Sequence, residues 1–486
     1  MRLHRLLING KWRSSSEKAE IVNPANSEKT AEASNADESM IDECIRASIS
    51  AFNLTRKSSR FIRSRILKKI ADGILKRQEE LVSCISDEAG KPCQLALAET
   101  ERAYQTFLWA SEEVRRFGAE SFPMDIDAYG RNFYDGKILR CPLGVILAVS
   151  PFNFPLNLAA HKVAPALACG ASVILKPPPA APGASVILGE LFLEAVSESR
   201  EESFSESALQ IIHCSNQDAE KLATDERISV LSFTGSDRVG WHLKTIAGRK
   251  KVLLELGGTA CTAVFKDADL NQAAERCIFG AFSYSGQVCI SIQKILIEDS
   301  IYDKFCREFK EKTQKLNQWR TGEKEGILGP LINRNSMERI LSWVQEALDG
   351  GAKLLTEIRF EGNFLSPIVM EDVPKNCRLQ TEEIFGPVVI MERFSDMQDA
   401  VLKINSSRYG LQNAVFTEDR QTIHFCTEEI SSGSVLINEI PTYRADHMPY
   451  GGVKDSGMGK EGIRYAMNEF TFEKLILEKK PSLPDC

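Results

Sequence analysis

The sequence lacks three features, and each absence excludes a class of protein. Its 13 cysteines form no C-x-x-C pair, which argues against a zinc site or a secreted disulfide framework. No signal-peptide stretch is visible, and apolar runs such as 144–149 are far shorter than the ~20 residues that span a bilayer. Lys and Arg (60) do not outnumber Asp and Glu (67), so no nucleic-acid partner is expected. We therefore expect a cytoplasmic protein with reduced thiols, no metal and no membrane contact.

Short β-rich runs alternate with helical stretches from residue 144 onward. Buried strands that alternate with helices predict βαβ units and a parallel sheet, with a nucleotide site beyond the carboxyl ends of the strands. A second alternation over 295–438 predicts another α/β unit in series, and three amphipathic helices precede both. The strands predicted for the first unit are 145–149, 172–175, 209–213, 230–233 and 252–254.

One cysteine and one glutamate stand out in the middle of the chain. The small residues of 283–288 lead into Cys289, and such a loop leaves a thiol free beside backbone N–H groups. The other 12 cysteines are better interpreted as small buried side chains. Glu255 lies in an apolar run before Gly257-Gly258, where burial would raise its pKa as a general base requires. Taken alone, Glu255 fits a partly exposed structural carboxylate better.

Two turns could each serve a ligand or only the fold. Pro151-Phe152-Asn153-Phe154-Pro155 fixes the backbone around one amide, although Asn153 could simply bond its own backbone. Phe233-Thr234-Gly235-Ser236 joins a predicted strand to a helix and exposes N-terminal amides, which favour an anion. Alternatively, Ser236 is only the helix N-cap.

Together with further motifs in the same order, these segments resemble the aldehyde dehydrogenase superfamily over nearly the whole chain. The resemblance implies that Cys289 is the nucleophile, that Asn153 and the Cys289 N–H hold the oxyanion, and that Glu255 activates water. Lys162 and Glu461 match positions thought to assist proton transfer. The matching motifs are Pro151–Pro155, Lys176–Pro178, Phe233–Ser236, Leu254–Gly258, Gly286–Cys289, Glu382–Pro387 and Pro449–Gly452.

The same resemblance assigns a set of residues to NADP or NAD. Lys176 would reach the adenosine ribose, Gly235 and Ser236 the pyrophosphate, Glu383 the nicotinamide ribose and Phe385 the nicotinamide. Pro151, Phe152, Gly257 and Pro179 complete the cofactor-binding set. The family often has an acidic residue where this chain has Pro179; without a carboxylate to repel the 2′-phosphate, we expect NADP to be accepted and NAD not to be excluded.

The substrate is less closely defined. Several motifs resemble the branch of lactaldehyde and non-phosphorylating glyceraldehyde-3-phosphate dehydrogenases, and Arg102, Tyr443 and Arg444 are candidates for gripping a polar or anionic tail. For Arg102 the alternative is a helix-surface ion pair with Glu99 or a neighbour. Val288 occupies a position where relatives acting on phosphorylated or phosphonated aldehydes often carry Arg, which disfavours such a substrate.

The resemblance also implies the architecture and the assembly. An α/β fold is expected, with a Rossmann-like cofactor domain (1–120 and 142–254), a catalytic domain (255–456) and a small β oligomerisation arm (121–141 and 457–486). A homodimer or homotetramer is expected. The competing hypotheses are a CoA-acylating dehydrogenase, which usually lacks the base at Glu255, and a non-catalytic protein that retains the fold.

Overall fold

An eight-stranded sheet forms the first α/β unit in the computed structural model, which describes residues 2–126, 134–316, 323 and 325–480. Its five central strands run parallel, so their carboxyl ends lie along one edge. Lys176, Thr234 and Glu255 are each the last residue of such a strand. In order across the sheet, the strands are Gly457–Met458, Lys251–Glu255, Val230–Thr234, Val145–Val149, Ser172–Lys176, Leu209–Ile211, Leu6–Ile8 and Lys11–Arg13.

Helices cover both faces of this sheet and bury its Val, Ile and Leu side chains in two cores. The apolar pattern over 62–85 belongs to two helices rather than one, because Arg77 leaves the helical conformation (φ −103°, ψ 25°). The helices are Glu38–Thr55, Arg60–Lys76, Gln78–Ala89, Cys93–Arg116, Asn157–Cys169, Gly183–Ser199, Asn216–Thr224, Asp237–Ile246 and Ile463–Glu469. A small sheet of Arg2–His4, Lys29–Ser34 and Lys18–Val22 lies near the N-terminus.

A seven-stranded sheet forms the second unit, so the predicted α/β class is confirmed. Its strands are Lys353–Leu354, Ile368–Glu371, Val388–Phe394, Ile292–Glu298, Ala260–Val264, Gln412–Phe416 and Ser434–Ile437, and all but the first pair run parallel. The accompanying helices are Leu270–Phe282, Tyr302–Thr313, Arg334–Asp349, Arg378–Thr381, Met397–Asn405 and Arg420–Glu429. Two short antiparallel strand pairs complete it: Phe360–Glu361 with Phe364–Leu365, and Tyr409–Gly410 with Val453–Lys454.

A three-stranded arm consists of Glu120–Phe122, Tyr134–Pro142 and Thr471–Lys479. The last two strands pair antiparallel over nine residues, from Thr471 opposite Pro142 to Lys479 opposite Tyr134. The predicted arm segment 457–486 is thus narrower in the structure, because Gly457–Met458 joins the first sheet. Residues 127–133 and 481–486 lie outside the described residues.

The described ranges contain no helix that is long and apolar enough to cross a bilayer. They also contain 12 of the 13 cysteines, and all 12 are free thiols. Cys261, which follows Gly257-Gly258 closely in the sequence, packs in an apolar core of the second unit.

Candidate active site

A strained turn presents Cys289. Tyr284, Ser285 and Gly286 all adopt left-handed backbone conformations (φ 51°, 52° and 70°) between a helix end and a strand start. Residue 286 must be glycine, because a Cβ there would lie 2.2 Å from the carbonyl oxygen of Gly386. Strain of this kind clusters at functional sites and persists only where the surroundings impose it.

The Cys289 side chain is half-buried, and its sulfur contacts one hydroxyl. The Cys289 Sγ lies 3.1 Å from the Tyr450 Oη. Burial raises the pKa of the Cys289 thiol to about 12, while the Tyr450 hydrogen bond and the Arg444 charge act in the opposite direction. The resting sulfur is therefore a thiol, and its ionisation depends on nearby groups that favour the anion.

Asn153 lies beside the loop that carries Cys289. Its Nδ2 donates to the carbonyl oxygen of Gln287 at 3.0 Å, so the amide faces the loop and does not bond its own backbone. The Asn153 Oδ1 is buried without a hydrogen-bond partner among the described residues. Lys91, buried and paired with Glu99 at 2.6 Å, donates to the Asn153 carbonyl at 2.8 Å and holds the turn in place.

Glu255 is 4% exposed, so the alternative of a partly exposed carboxylate is wrong. Burial and the nearby Glu461 carboxylate raise the pKa of Glu255 well above its ordinary value. The Glu255 Oε2 has no hydrogen-bond partner within the described ranges. The other oxygen of Glu255, Oε1, has space beside it because residue 451 is glycine. A Cβ at residue 451 would lie 3.1 Å from Oε1.

A buried ion-pair cluster lies behind Glu255. Lys162 Nζ lies 2.9 Å from Glu461 Oε1 and 3.1 Å from Ser232 Oγ, while Arg444 Nη2 lies 3.1 Å from Glu461 Oε2. Although burial opposes ionisation, the charges of Lys162 and Arg444 lower the pKa of Glu461 to about 2. The pairing holds Arg444 in this buried cluster, and the prediction that it grips a substrate tail stays a prediction.

Arg102 pairs with Asp446, 344 residues away, and not with Glu99 as the alternative proposed. Its Nε and Nη2 donate to the two oxygens of Asp446 at 3.2 and 2.8 Å. Asp446 is also bonded by Asn157 Nδ2 at 3.1 Å and lies 2.8 Å from His161 Nε2. Although burial opposes ionisation, His161 and Arg102 keep the pKa of Asp446 below its ordinary value. Asp446 therefore fixes the direction of Arg102.

Partly or fully exposed side chains occur on the helix that carries Arg102, at Phe154 and in the segment 443–447. Arg102 is partly exposed, and its Cζ lies 5.9 Å from the ring of Phe154, the residue after Asn153. Tyr443 is 51% exposed. The His447 ring lies 5.3 Å from that of Trp109, on the same helix as Arg102. Of these groups, Arg102 and Phe154 lie partly exposed beside Asn153.

The carboxyl ends of the first sheet carry the residues predicted to hold the diphosphate and the ribose. Ser236 precedes the helix Asp237–Ile246 and makes no side-chain capping bond, while the Arg238 N–H donates to Asp237 Oδ1 at 2.7 Å. The Ser236 hydroxyl is therefore not used by the helix end and can contact an anion there. Thr234 Oγ1 is buried without a partner among the described residues. Burial lowers the pKa of Lys176, and His213 lies against Lys176 and Pro179.

At the predicted nicotinamide end of the cofactor site, Glu383 lies close to the glycine pair Gly257-Gly258. Glu383 Oε1 accepts from the Gly258 N–H at 3.2 Å, and burial raises the pKa of Glu383 to about 8. A Cβ at Gly257 would lie 2.2 Å from Glu383 Oε2. Phe385 packs edge-on against Phe152 with ring centres 6.0 Å apart, and Pro151 precedes Phe152 at the strand end. The uncapped Ser236 hydroxyl, the unpartnered Thr234 hydroxyl and the glycines that face Glu383 fit a dinucleotide.

Sequence reasoning missed three contributors to the site. Tyr450 lies within a motif that was recognised, but nothing in the motif indicated that its hydroxyl reaches Cys289. Asp446 and Lys91 carry no local signal, because their partners lie far away in the sequence. Within the described residues no group of three or more His, Cys, Asp or Glu side chains could hold a metal ion.

The chain is similar to known proteins of one family. The model of the aldehyde dehydrogenase family matches residues 12–476. The 3-sulfolactaldehyde dehydrogenase of Priestia aryabhattai is 37% identical over 473 residues, which is 97% of each chain. An aldehyde dehydrogenase from Physcomitrella patens, solved with its reaction product succinate, superposes with a TM-score of 0.94 at 35% identity over 99% of each chain. The NADP complex of a glyceraldehyde-3-phosphate dehydrogenase from Methanocaldococcus jannaschii gives 0.91 at 33% identity over 96% of this chain and all of that one.

Proposed function

Because the chain belongs to the aldehyde dehydrogenase family, we propose that its substrate is a short aldehyde with an anionic tail. The enzyme oxidises a small aldehyde to its carboxylic acid, with NADP or NAD as the hydride acceptor. The main observation in favour of an anionic tail is the position of Arg102. Its guanidinium is partly exposed, is held by Asp446 and lies near Phe154, the residue after Asn153.

In the proposed first half-reaction, the Cys289 thiolate attacks the aldehyde carbon and the carbonyl electron pair moves onto oxygen. One N–H of the Asn153 amide is bonded to Gln287, and the other, with the Cys289 backbone N–H, can hold the oxyanion. NADP or NAD, when bound, would supply the hydride acceptor, and the loss of the hydride would leave a thioester on Cys289. Lys91 contributes by fixing the Asn153 backbone.

In the proposed second half-reaction, Glu255 takes a proton from water as the water attacks the thioester. The neutral form of Glu255 is favoured by burial and by the ionised Glu461 beside it, so the carboxylate is a stronger base than an exposed one. Lys162 and Arg444 keep Glu461 ionised. The unpartnered Oε2 of Glu255 is the oxygen that would receive the proton.

The proposed tail is a carboxylate or a sulfonate. Arg102 uses Nε and Nη2 on Asp446, while its Nη1 makes no hydrogen bond within the described ranges and can donate to an anion. The names of two similar proteins support the same chemistry, since one acts on 3-sulfolactaldehyde and the other was solved with succinate. Val288 offers no second cation beside Cys289 for a phosphorylated substrate.

The Arg102→Met variant is expected to raise KM about 10- to 100-fold for succinic semialdehyde or sulfolactaldehyde, because a hydrogen bond to a charged group contributes ~1.5–3 kcal/mol. Its kcat, and both constants for propanal, should change little. Reduced cofactor is followed at its near-ultraviolet band, with NADP and NAD in parallel and no CoA. Arg116→Met, an exposed position on the same helix, is the matched control. Equal losses for propanal and for the anionic aldehydes would contradict the proposed tail.

In this proposal the two α/β units have different roles. We assign residues 1–120 and 142–254 to cofactor binding and 255–456 to catalysis, which corresponds to the two sheets. Pro179 places no carboxylate near the adenosine ribose, which favours acceptance of NADP. We place the protein in the cytoplasm, in agreement with the free thiols.

We also propose a homodimer or homotetramer joined through the arm. The arm strand Thr471–Lys479 is an edge strand with exposed apolar side chains on both faces, Leu475 and Leu477 on one and Phe472 and Ile476 on the other. Light scattering should give a mass of two or four chains for the wild type. The double variant Leu475→Glu/Leu477→Glu should shift it toward one chain, and an unchanged mass in the variant would contradict the role of the arm.

A further inference from the structure

The hydroxyl of Tyr450 lies within hydrogen-bonding distance of the sulfur of Cys289. The side chain is 2% exposed, and its Oη lies 3.1 Å from Cys289 Sγ. No other group in the described part of the chain makes a hydrogen bond with this hydroxyl. A thiolate has no proton to give, so once Cys289 is ionised the contact can exist only with Tyr450 as the donor.

A cation lies against the ring of the same tyrosine. The Arg444 Cζ is 3.7 Å from the ring centre of Tyr450. The other side of Arg444 is tied to Glu461 at 3.1 Å, which keeps the guanidinium in place. A cation over an aromatic face is attracted to the ring electrons. By drawing density from the ring it also makes the phenolic O–H a stronger donor, and a hydrogen bond to an anion in a buried site is strengthened further.

The groups around Cys289 act in opposite directions. The carboxylates of Glu383 and Glu255 disfavour a negative charge on the sulfur, as burial does. Tyr450 and Arg444 favour it. Among these groups, only Tyr450 makes a hydrogen bond with the sulfur in the described structure.

We propose that the Tyr450 hydroxyl is a further catalytic group, which donates a hydrogen bond to the Cys289 thiolate and so increases the ionised fraction of the nucleophile. Ionisation releases the Cys289 proton to solvent, while Tyr450 keeps its own proton. When the sulfur lone pair forms the bond to the aldehyde carbon, the charge leaves the sulfur for the carbonyl oxygen. This inference rests on the proposed role of Cys289 as the nucleophile.

The Tyr450→Phe variant tests the inference, because it removes the hydroxyl and keeps the ring against Arg444. The rate of Cys289 alkylation by iodoacetamide is measured from pH 6 to pH 11 on the protein without cofactor, with the modified residue identified by mass spectrometry. These pH values lie below the pKa of the thiol, so the alkylation rate rises tenfold per pH unit. The profile of the variant, and with it the midpoint to which it extrapolates, is therefore expected to be displaced upward by about one pH unit, which is a tenfold lower rate at each pH. The burst of reduced cofactor should fall about tenfold at neutral pH and recover at high pH. An identical midpoint in the variant and the wild type would overturn the inference.

Two further variants complete the test. Tyr465→Phe, which removes a partly exposed hydroxyl from the helix Ile463–Glu469, should leave the midpoint and the burst unchanged. Replacing Tyr450 by 3-fluorotyrosine preserves the shape and strengthens the donor, so the midpoint should fall; a rise would contradict the inference even if Tyr450→Phe were poorly folded. Failure of the proposed function is distinguishable, because it would show as turnover by Cys289→Ala whatever the alkylation profile of Tyr450→Phe.

Discussion

Replacing Cys289 by Ala is expected to lower aldehyde oxidation by at least ~1000-fold, as the loss of a covalent nucleophile does in other enzymes. Without the sulfur there is no bond to the aldehyde carbon and no thioester, so the hydride has no activated donor. The half-buried side chain packs only at the edge of a small cluster with Ile290, Leu411 and Tyr450, so the fold should survive the change.

The measurement is the rate of cofactor reduction with an anionic aldehyde and with propanal. Binding of NADP, followed by protein fluorescence, shows whether the cofactor site is intact. Cys306→Ala, which removes a partly buried thiol from the helix Tyr302–Thr313, is the matched control and should keep wild-type rates. Substantial turnover by Cys289→Ala would refute the assignment of the nucleophile.

The Glu255→Gln variant is expected to separate the two half-reactions. The amide cannot take a proton from water, so kcat should fall ~100- to 10,000-fold, the usual contribution of a general base. Acylation does not need this base, so one equivalent of reduced cofactor should form in a burst and the acyl group should remain on Cys289. Rapid mixing measures the burst, and intact-protein mass spectrometry detects the thioester. Steady turnover without a burst would contradict the role of Glu255.

Glu255 should also shape the pH dependence of the enzyme. Only the ionised form of Glu255 is a base, and the pKa of Glu255 is raised. As the pH is lowered, kcat should therefore begin to decline at a pH above the ordinary pKa of a glutamate. The same raised pKa costs stability above that range, because the unfolded chain ionises more readily than the folded one. The Glu255→Gln variant should therefore melt at a higher temperature than the wild type at neutral pH. That difference should shrink as the pH falls toward the ordinary glutamate pKa and be absent below it, and Glu428→Gln, an exposed position, should show no such trend.

Much of the secondary structure and the identity of the central residues followed from local patterns. The strand predicted at 145–149 is Val145–Val149, and that predicted at 230–233 ends one residue later, at Thr234. Fully buried parallel strands are continuous apolar runs, so their signal is local. The helical pattern of 62–85 was less informative, since apolar spacing alone does not show that Arg77 leaves the helix. The family motifs likewise lie within short segments and are recognisable without the fold.

What the sequence by itself determined is the α/β class and the chemical types brought to the site: a thiol after a small-residue loop, a carboxylate at a strand end and an amide in a rigid turn. Only the tertiary structure decided how these groups are paired. Arg102 finds Asp446 rather than Glu99, and Tyr450 reaches Cys289 across 161 positions of sequence. Burial, and then the nearby Glu461 carboxylate, raise the pKa of Glu255. The reason is physical: hydrogen bonds and charge interactions depend on distance in space and on exclusion of water, and neither exists until the sheets and the connecting loops have packed.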